Sequence, residues 1–398
     1  MPALGATIPN DPYFKYQWPL YNDGSYSPVC YSTVKAGADM KTTLAWDIEQ
    51  GDSNLVVAVI DGGCAMNHPE FVGRFWVNKG EIPGNGIDDD KNGYVDDVNG
   101  WNFYKNTNNL EDIDGHGTSI AGIIGANVNN GTGFAGIDWH CKLMILKVGD
   151  TLPHSLATAS AIKYAMSNGA RIINLSIGFD QESPSIKQAI IEASNKSVLI
   201  IVAAGNNALD SMEFPANIPE ILAVGSTNPD DTWSRNFPQG TGGSIYGSNL
   251  GVVAPGNCVR YINPLAAAGR EYNQIGSGTS ISTVYVTGLA ALLLAQNPTR
   301  TPAQIKRLIT LSADDLVGNP AEDTPGWDKH YGWGRVNMYR ALKADTTAIR
   351  QGKTLAVRRD QKRLAPELLF EHGSIMIQET HAMQNNRIVV RRWICGEG

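Results

Sequence analysis

Six short segments of this chain are apolar at nearly every position and rich in Val and Ile. They are residues 54–61, 142–148, 170–178, 197–206, 220–227 and 251–256. Continuous rather than alternating hydrophobicity indicates strands buried on both faces of a sheet. Helical patterns lie between or after them, at residues 117–127, 155–169, 184–197, 301–313 and 336–344. This alternation predicts an α/β fold, a three-layer sandwich with a mainly parallel central sheet and helices on both sides.

Polar residues close three of the predicted strands. Asp61 is the last residue of the first predicted strand and Asn206 the last of the fourth, and Ser176 lies near the end of the third. Ligands of parallel sheets bind beyond the carboxyl ends of the strands, so we expect a functional site at this edge.

The composition changes near residue 346. Residues 346–398 hold nine Lys or Arg residues against five Asp or Glu residues, a formal charge of +4. We therefore expect one domain of residues 1–345, with an N-terminal arm of residues 1–40, and a small C-terminal extension of residues 346–398. The segments 373–380 and 387–394 favour β structure in that extension.

Charge and hydropathy narrow the class of protein. The 398 residues include 42% hydrophobic residues, and the net charge of −7 mixes both signs, which argues against nucleic acid as a partner. The start of the chain lacks the basic and apolar regions of a signal peptide. The apolar run 284–295 is shorter than the roughly 20 residues of a bilayer span. We expect a soluble monomer acting on proteins or peptides, with an intracellular location weakly favoured and no membrane partner.

The five cysteines are scattered without a CxxC pair. The pattern indicates neither a zinc site nor a disulfide framework, and an odd number leaves at least one thiol free. Cys64, three residues after Asp61, fits a buried inert thiol better than a reactive one.

The stretch "IGSGTSIST", residues 275–283, precedes a strongly apolar helix and has two readings. The hydroxyl of Ser277, Thr279 or Ser280 could cap the first turn of that helix. Alternatively, Ser280 is a nucleophile, because glycines let the backbone approach a ligand and helix-end N–H groups stabilise negative charge. The second reading requires a base and an orienting acid elsewhere in the chain.

Asp61, at a strand end, and His116, in "DGHGTSIAG" at a helix start, supply those groups. A base must activate the hydroxyl, and a carboxylate must fix the imidazole tautomer. Asp61, His116 and Ser280 therefore form a candidate catalytic group in that order along the chain.

The motifs "AVIDGG", "HGTSIAG", "AAGN" and "GTSISTVYVTG" occur in this order, and residues 8–345 resemble the subtilisin-like serine peptidases. The resemblance implies that Asp61 orients His116, which acts as general base and acid, and that Ser280 attacks the scissile carbonyl. It also implies that the side chain of Asn206 and the backbone N–H of Ser280 bind the oxyanion.

Four positions depart from the usual family pattern. Gly62 stands where Thr or Ser is common, Ser119 replaces the second His of "HGTH", and Val284 and Tyr285 replace the usual Pro and His. None of these changes removes a group that handles protons.

The resemblance further implies a pocket for the side chain that precedes the scissile bond. Its walls are the segments "NLSIG" and "VAAGN", with Ser176, Gly178, Ala204 and Gly205 as substrate-binding residues, and Glu213 reaches its floor. A carboxylate there predicts cleavage after Arg or Lys. The alternative is that Glu213 turns outward to solvent.

Two loops are candidate calcium sites. In "NGIDDDKNGYVDDVNGW", oxygens recur at alternate positions, which suits the six to eight oxygen ligands of Ca²⁺. The candidate ligands of this loop are Asp88, Asp90, Asn92, Tyr94 and Asp97. The alternative is a solvated acidic loop.

A second calcium site is implied by resemblance to the thermitase branch of the family. Its ligands would be the side chains of Asp11, Glu70 and Asn130 and the carbonyls of Asn127, Thr132 and Phe134. We expect one or two structural Ca²⁺ ions in all.

Three functions remain open at this point: a serine endopeptidase, a peptide ligase or macrocyclase that uses the same acyl-enzyme, and a non-catalytic relative that binds peptides as an added strand. The presence of Asp61, His116, Asn206 and Ser280 argues against the last.

Overall fold

The structure is a computed structural model, and it describes residues 6–238, 242–267 and 269–344, together with the backbone of two strands near the C-terminus. The chain divides into two compact units, residues Met1–Leu342 and Lys343–Gly398. The boundary expected at residue 346 lies outside the described residues, as does most of the predicted C-terminal extension.

A seven-stranded sheet forms the centre of the first unit. Its strands are β1 (Val56–Asp61), β2 (Gly100–Asn102), β3 (Lys142–Lys147), β4 (Ile172–Leu175), β5 (Leu199–Ala203), β6 (Leu222–Thr227) and β7 (Leu250–Pro255). The order across the sheet is β2-β3-β1-β4-β5-β6-β7, and every neighbouring pair is parallel. The predicted α/β fold with a mainly parallel sheet is confirmed.

Four further strands lie outside this sheet. Strands β8 (Val259–Tyr261) and β9 (Gln274–Gly276) pair antiparallel, and so do β10 (Met376–Gln384) and β11 (Arg387–Cys395) near the C-terminus. Strands β8 and β9, like β2 of the central sheet, span only three residues each and were not predicted, because so short a segment carries no hydrophobic periodicity.

The described residues form seven helices. They are α1 (Thr42–Ala45), α2 (His116–Gly125), α3 (Ser155–Ser167), α4 (Pro184–Asn195), α5 (Thr279–Gln296), α6 (Pro302–Ser312) and α7 (Met338–Lys343), with 3₁₀ turns at Phe14–Tyr16 and Pro69–Phe71. Residues close in sequence determine where some of these helices begin. Thr301 and Gln304 form a capping box at the start of α6, and the Ser183 hydroxyl accepts from the N–H of Ile186 at the start of α4.

Helix α5 lies in the core. It is 18 residues long, longer than the apolar run 284–295, and by length and composition alone it could cross a bilayer. However, 83% of it is buried inside the fold, and Leu289, Leu292 and Leu293 are fully buried. A helix that is apolar on all sides and packed in this way is typical of a protein core.

The structure contains a disulfide bond that the cysteine spacing did not indicate. Cys30, in the N-terminal arm, is bonded to Cys258, which follows β7. The two residues are 228 positions apart, so their spacing along the chain gave no signal. Cys64 and Cys141 are buried free thiols, and burial together with nearby Asp112 raises the pKa of Cys64 well above its usual value. Cys64 is thus the inert buried thiol of the sequence analysis.

The sheet order brings the candidate site together. Strands β1, β4 and β5 are neighbours, so Asp61, Ser176 and Asn206 follow adjacent strands at one edge. Helices α2 and α5, which begin at or next to His116 and Ser280, pack against each other near this edge.

Candidate active site

Asp61 and His116 form a direct hydrogen bond. Asp61 is the last residue of β1 and is 3% exposed, and its Oδ1 lies 2.8 Å from Nδ1 of His116. The N–H of Gly62 donates to the same oxygen at 2.7 Å. Gly115, with φ of +86°, turns the chain so that His116 opens α2. The carboxylate thereby fixes a proton on Nδ1 and leaves Nε2 as the basic nitrogen.

The other oxygen of Asp61, Oδ2, is buried and has no hydrogen-bond partner in the described part of the chain. Gly62, one of the departures from the family pattern, brings no hydroxyl to it. The negative charge of Asp61 is therefore offset mainly by His116.

Carboxylates raise the pKa of His116. Burial of the ring lowers this pKa, but the charge and hydrogen bond of Asp61 raise it, and the charges of Asp114 and Asp112 raise it further, to about 9. The neighbouring carboxylates thus stabilise the imidazolium, and the basic form of His116 grows as the pH rises.

Ser280 is the second residue of α5, and its hydroxyl is bound to the neighbouring strand end. Its Oγ donates to the carbonyl of Ser176 at 2.9 Å, while Oγ of Ser176 donates to the carbonyl of Ser280 at 3.0 Å. No hydrogen bond joins Ser280 to His116, both of which the structure describes. Such contacts are often open without substrate, and rotation about χ1 of Ser280 redirects Oγ away from Ser176.

The first turn of α5 is bound by Asn206, which neither reading of the stretch 275–283 included. The N-cap residue is Gly278, which offers no side-chain cap, and the hydroxyls of Thr279 and Ser280 bind the carbonyls of Gly205 and Ser176. Instead, Oδ1 of Asn206 accepts from the N–H and the hydroxyl of Thr279, at 2.9 and 3.0 Å. This assignment, which rests on the hydrogen bonds of the amide, leaves Nδ2 of Asn206 as a donor beside Ser280.

The other departures from the family pattern leave the reacting groups intact. Oγ of Ser119 donates to the carbonyl of His116 at 2.7 Å, one turn back in α2. Val284 and Tyr285 are buried in α5, 0% and 1% exposed.

Glu213 lies between the two predicted walls of the substrate pocket. Its Oε2 would be 2.8 Å from a Cβ atom at Gly178 and equally close to one at Gly205, so the absence of a side chain at both walls leaves room for this carboxylate. Asn207 donates to Oε1 of Glu213 at 2.6 Å. The side chain is half-buried, and burial together with Asp180 raises its pKa.

The remaining pocket residues lie at the strand ends expected for them. Ser176 and Ala204 are buried beside β4 and β5, and Gly178 is exposed. Among the described residues, Glu213 has no Lys or Arg partner, so the half-buried carboxylate lacks a cation within the chain.

The first candidate metal centre is formed by Asp11 and Glu70. The side chains are 3% and 0% exposed, and Oδ1 of Asp11 and Oε1 of Glu70 are buried without partners. Nδ2 of Asn130 donates to Oε2 of Glu70 at 3.0 Å. Burial, with a contribution from Asp11, raises the pKa of Glu70 to about 7. Two free buried carboxylate oxygens fit a bound divalent cation.

The turn that carries Asn127, Thr132 and Phe134 adjoins these carboxylates. The N–H of Asn127 donates to the carbonyl of Glu70 at 2.8 Å, and the N–H of Thr132 donates to Oδ1 of Asn130 at 2.8 Å. The predicted ligand residues of this site therefore lie in one region.

In the acidic loop the structure groups Asp90 and Asp97 with Glu81. One carboxylate oxygen of each lies within 4.8 Å of the others. The carboxylate of Asp88 instead accepts from the N–H groups of Asn92 and Gly93, at 3.0 and 2.8 Å. Sequence reasoning missed Glu81 because it precedes the alternating pattern by seven residues.

The other two predicted residues of this loop have local partners. Oδ1 of Asn92 accepts from the N–H of Tyr94, and Nδ2 of Asn92 donates to Asp90 and Asp97. The ring of Tyr94 contacts Trp101, Phe103 and Tyr164.

Residues 52–334 of the chain match the subtilase family. The chain is similar to thermitase of Thermoactinomyces vulgaris, 32% identical over 337 residues that cover 84% of this chain and 99% of thermitase. It is also similar to thermophilic serine proteinase of Bacillus sp. (strain AK1), 30% identical over 350 residues, with 85% and 75% coverage. Among solved structures, it resembles the prenylagaramide maturation protease PagA, with a TM-score of 0.59, 27% identity, and coverage of 76% of this chain and 97% of PagA.

Proposed function

Because the chain belongs to the subtilase family and is a serine endopeptidase, we propose that it cleaves proteins or peptides through an acyl-enzyme on Ser280, with Arg or Lys preferred before the scissile bond. The observation that carries the preference is the half-buried carboxylate of Glu213 between Gly178 and Gly205.

In the proposed reaction, Nε2 of His116 takes the hydroxyl proton of Ser280 as Oγ attacks the scissile carbonyl carbon. Asp61 holds Nδ1 and stabilises the imidazolium. Nδ2 of Asn206 and the N–H of Ser280 donate to the oxyanion. The imidazolium then protonates the leaving amine, the C–N bond breaks, and water releases the acyl group with His116 again as base.

The pocket selects a cation through charge and desolvation together. A half-buried carboxylate without a cationic partner loses solvation, and a guanidinium or ammonium entering the slot restores the lost interaction. A substrate Leu or Phe would bury the same carboxylate unpaired, which raises the barrier for that substrate.

Cleavage profiling of a peptide library with the wild type and Glu213→Gln tests the preference. We expect wild-type kcat/KM to be at least about tenfold higher after Arg or Lys than after Leu, and the ratio to collapse in Glu213→Gln. Glu192→Gln, on α4, is the matched control and keeps the wild-type ratio. Equal cleavage after Leu, Phe and Arg by the wild type refutes the charged pocket.

Labelling with a fluorophosphonate probe tests the acyl-enzyme itself. We expect the folded wild type to be labelled and Ser280→Ala to be unlabelled, because the substitution removes the nucleophile. Ser282→Ala is the control on the same helix. It removes a buried hydroxyl that has no hydrogen-bond partner in the described structure, and we expect the variant to be labelled like the wild type. An unlabelled wild type would favour a non-catalytic peptide-binding protein, and product masses distinguish hydrolysis from ligation.

We also propose that the protein binds one or two structural Ca²⁺ ions. The first site uses Asp11, Glu70 and Asn130 side chains with the carbonyls of Asn127, Thr132 and Phe134, and its support is the pair of buried carboxylate oxygens without partners. The second lies in the acidic loop of residues Asp88, Asp90, Asn92, Tyr94 and Asp97. The clustering of Asp90 and Asp97 with Glu81 supports it.

A further inference from the structure

A large cleft close to the turn that carries His116 takes no part in the reaction proposed above. This large cleft has a volume of about 1130 Å³. It is bounded by residues 64–69, which follow β1, by part of the segment 96–112, and by the loop 264–271 between β8 and β9. Its volume is at or above the roughly 300–1,000 Å³ typical of ligand sites.

One wall of the large cleft is hydrogen-bonded to the turn that carries His116. Its wall residue Asp112 accepts hydrogen bonds from the N–H groups of Gly115 and Thr118, on either side of His116. Asn263, which precedes the loop 264–271, also approaches this turn, because its Oδ1 would lie 3.0 Å from a Cβ atom at Gly115. The cleft therefore begins next to the residue that must protonate the leaving amine.

A second, smaller cavity indicates which part of a substrate each of the two cavities would contact. This small cavity, of about 240 Å³, is lined by Asp61, His116, Ser176 and Ile177. Ser176 and Ile177 lead directly to Gly178 and the Glu213 pocket, so the small cavity faces the part of the substrate that becomes the acyl group. The large cleft shares none of the lining residues of the small cavity.

The charge of the large cleft is negative. Glu111, in the segment 96–112, and Glu271, in the loop 264–271, both line it, and none of the described lining residues is Lys or Arg. Asp112 and Asp96 also line it, but main-chain N–H groups already occupy their carboxylates. Glu111 is exposed, whereas Oε2 of Glu271 is buried without a partner. A buried carboxylate oxygen in this state is stabilised by an incoming cation.

We propose that the large cleft binds the segment of the substrate that follows the scissile bond and selects a Lys or Arg side chain there through Glu111 and Glu271. The proposal rests on the proposed peptidase function, since only a substrate cleaved at Ser280 has such a segment. It gives the enzyme a second cation-selective position, on the leaving-group side and independent of Glu213.

Fluorogenic peptides with a constant acyl half ending in Arg test this selection. Arg, Gln or Glu is placed in turn at each of the first four positions after the scissile bond. At one or more positions we expect wild-type kcat/KM to be about tenfold higher for Arg than for Gln and lower again for Glu. The preference should shrink at high salt, because exposed charges are screened.

The double variant Glu111→Gln/Glu271→Gln should reduce the Arg-to-Gln ratio to below about threefold, while Glu192→Gln keeps it. Equal wild-type rates for Arg and Gln at all four positions overturn the proposal, as does a preference that survives in the double variant. Wild-type hydrolysis of the same acyl half joined to p-nitroaniline separates the two hypotheses. If that substrate is cleaved, a missing preference counts against the large cleft alone, and if it is not, the peptidase function fails as well.

Discussion

His116 titrates in the field of three carboxylates, Asp61, Asp112 and Asp114. Only Asp61 contacts the ring, but the charges of Asp114 and Asp112 also raise the pKa of His116, to about 9. Because this pKa lies above the ordinary value near 6.5, the stabilisation by protonated His116 is complete below pH 6.5 and is lost as the pH rises through about 9. The basic form needed for catalysis follows the opposite course and grows over that range.

Asp114→Asn should move the activity profile to lower pH. The substitution removes one negative charge near His116 but keeps an oxygen that accepts from the N–H of His116, so the turn before α2 is preserved. We expect the acid limb of kcat/KM, which reports free-enzyme ionisation, to lie well above pH 6.5 in the wild type and lower in the variant.

Asp150→Asn is the control for this pH shift. Asp150 lines the same small cavity but pairs with Lys105 and Lys147. A pH profile that shifts equally in both variants, or in neither, would contradict the role given to Asp114.

At the scale of single residues, the sequence predicts which side chains are catalytic better than it predicts which side chains lie close together. Asp61 and His116 were identified from motifs, and the structure places them in a hydrogen bond. By contrast, Glu81 and the unpartnered Oδ2 of Asp61 depend on distances between segments that no local pattern encodes.

Among the secondary-structure elements, α5 is stabilised at its first turn by Asn206, the same side chain that is the proposed oxyanion donor. Asn206 follows β5, and its Oδ1 supplies the first-turn acceptor of α5 while its Nδ2 remains the proposed oxyanion donor. A single amide thus has two separable functions.

Asn206→Asp and Asn206→Ala should separate these functions. Both remove the donor, so we expect turnover to fall about 10²- to 10³-fold in each, a magnitude that itself comes from a subtilisin. Asp keeps an acceptor for the N–H of Thr279, whereas Ala loses it, at a cost of about 1 kcal/mol of unfolding free energy. Calorimetry and single-turnover kinetics measure the two effects.

Equal melting temperatures for the two variants would contradict the capping role of Asn206. Undiminished turnover in Asn206→Asp would contradict its role as oxyanion donor.

Long, buried strands and helices were predicted better than short ones. The six long strands and the helices after residue 116 have continuous or periodic apolar patterns, and all appear near their predicted bounds. The cap of α5 was missed because Asn206 is 73 residues from Thr279, and the Cys30–Cys258 bond spans a still longer separation. Local propensity predicts elements, and tertiary contacts between distant segments need the fold.

At the scale of the whole molecule, the first candidate calcium site affects stability and uses none of the catalytic residues Asp61, His116 and Ser280. The site of Asp11 and Glu70 joins the N-terminal arm to the turn after α2, where the N–H of Asn129 donates to Oδ2 of Asp11 at 2.9 Å. An ion bound there links segments about 120 residues apart in the chain, as their hydrogen bond does. Its removal should therefore act on the stability of the fold as a whole.

We expect excess EGTA at pH 8 to lower the melting temperature by several degrees, and added Ca²⁺ to restore it. An ion that binds only the folded state contributes about 2.7 kcal/mol at a hundredfold excess over its Kd. Each kcal/mol corresponds to roughly 2–4 °C for domains of about 150–250 residues. Without the ion, the buried oxygens of Asp11 and Glu70 have no partner.

Calorimetry of Glu70→Gln and Asp90→Asn, each with Ca²⁺ and with EGTA, apportions this shift between the two sites. Each substitution removes one carboxylate charge, so we expect each to reduce the Ca²⁺-dependent shift by the share of its own site, while Glu192→Gln leaves the full shift. If only Glu70→Gln reduces it, the acidic loop holds no ion that contributes to stability, and the solvated-loop alternative is correct. A wild type whose melting temperature is the same in Ca²⁺ and after prolonged incubation with EGTA has no exchangeable calcium at either site.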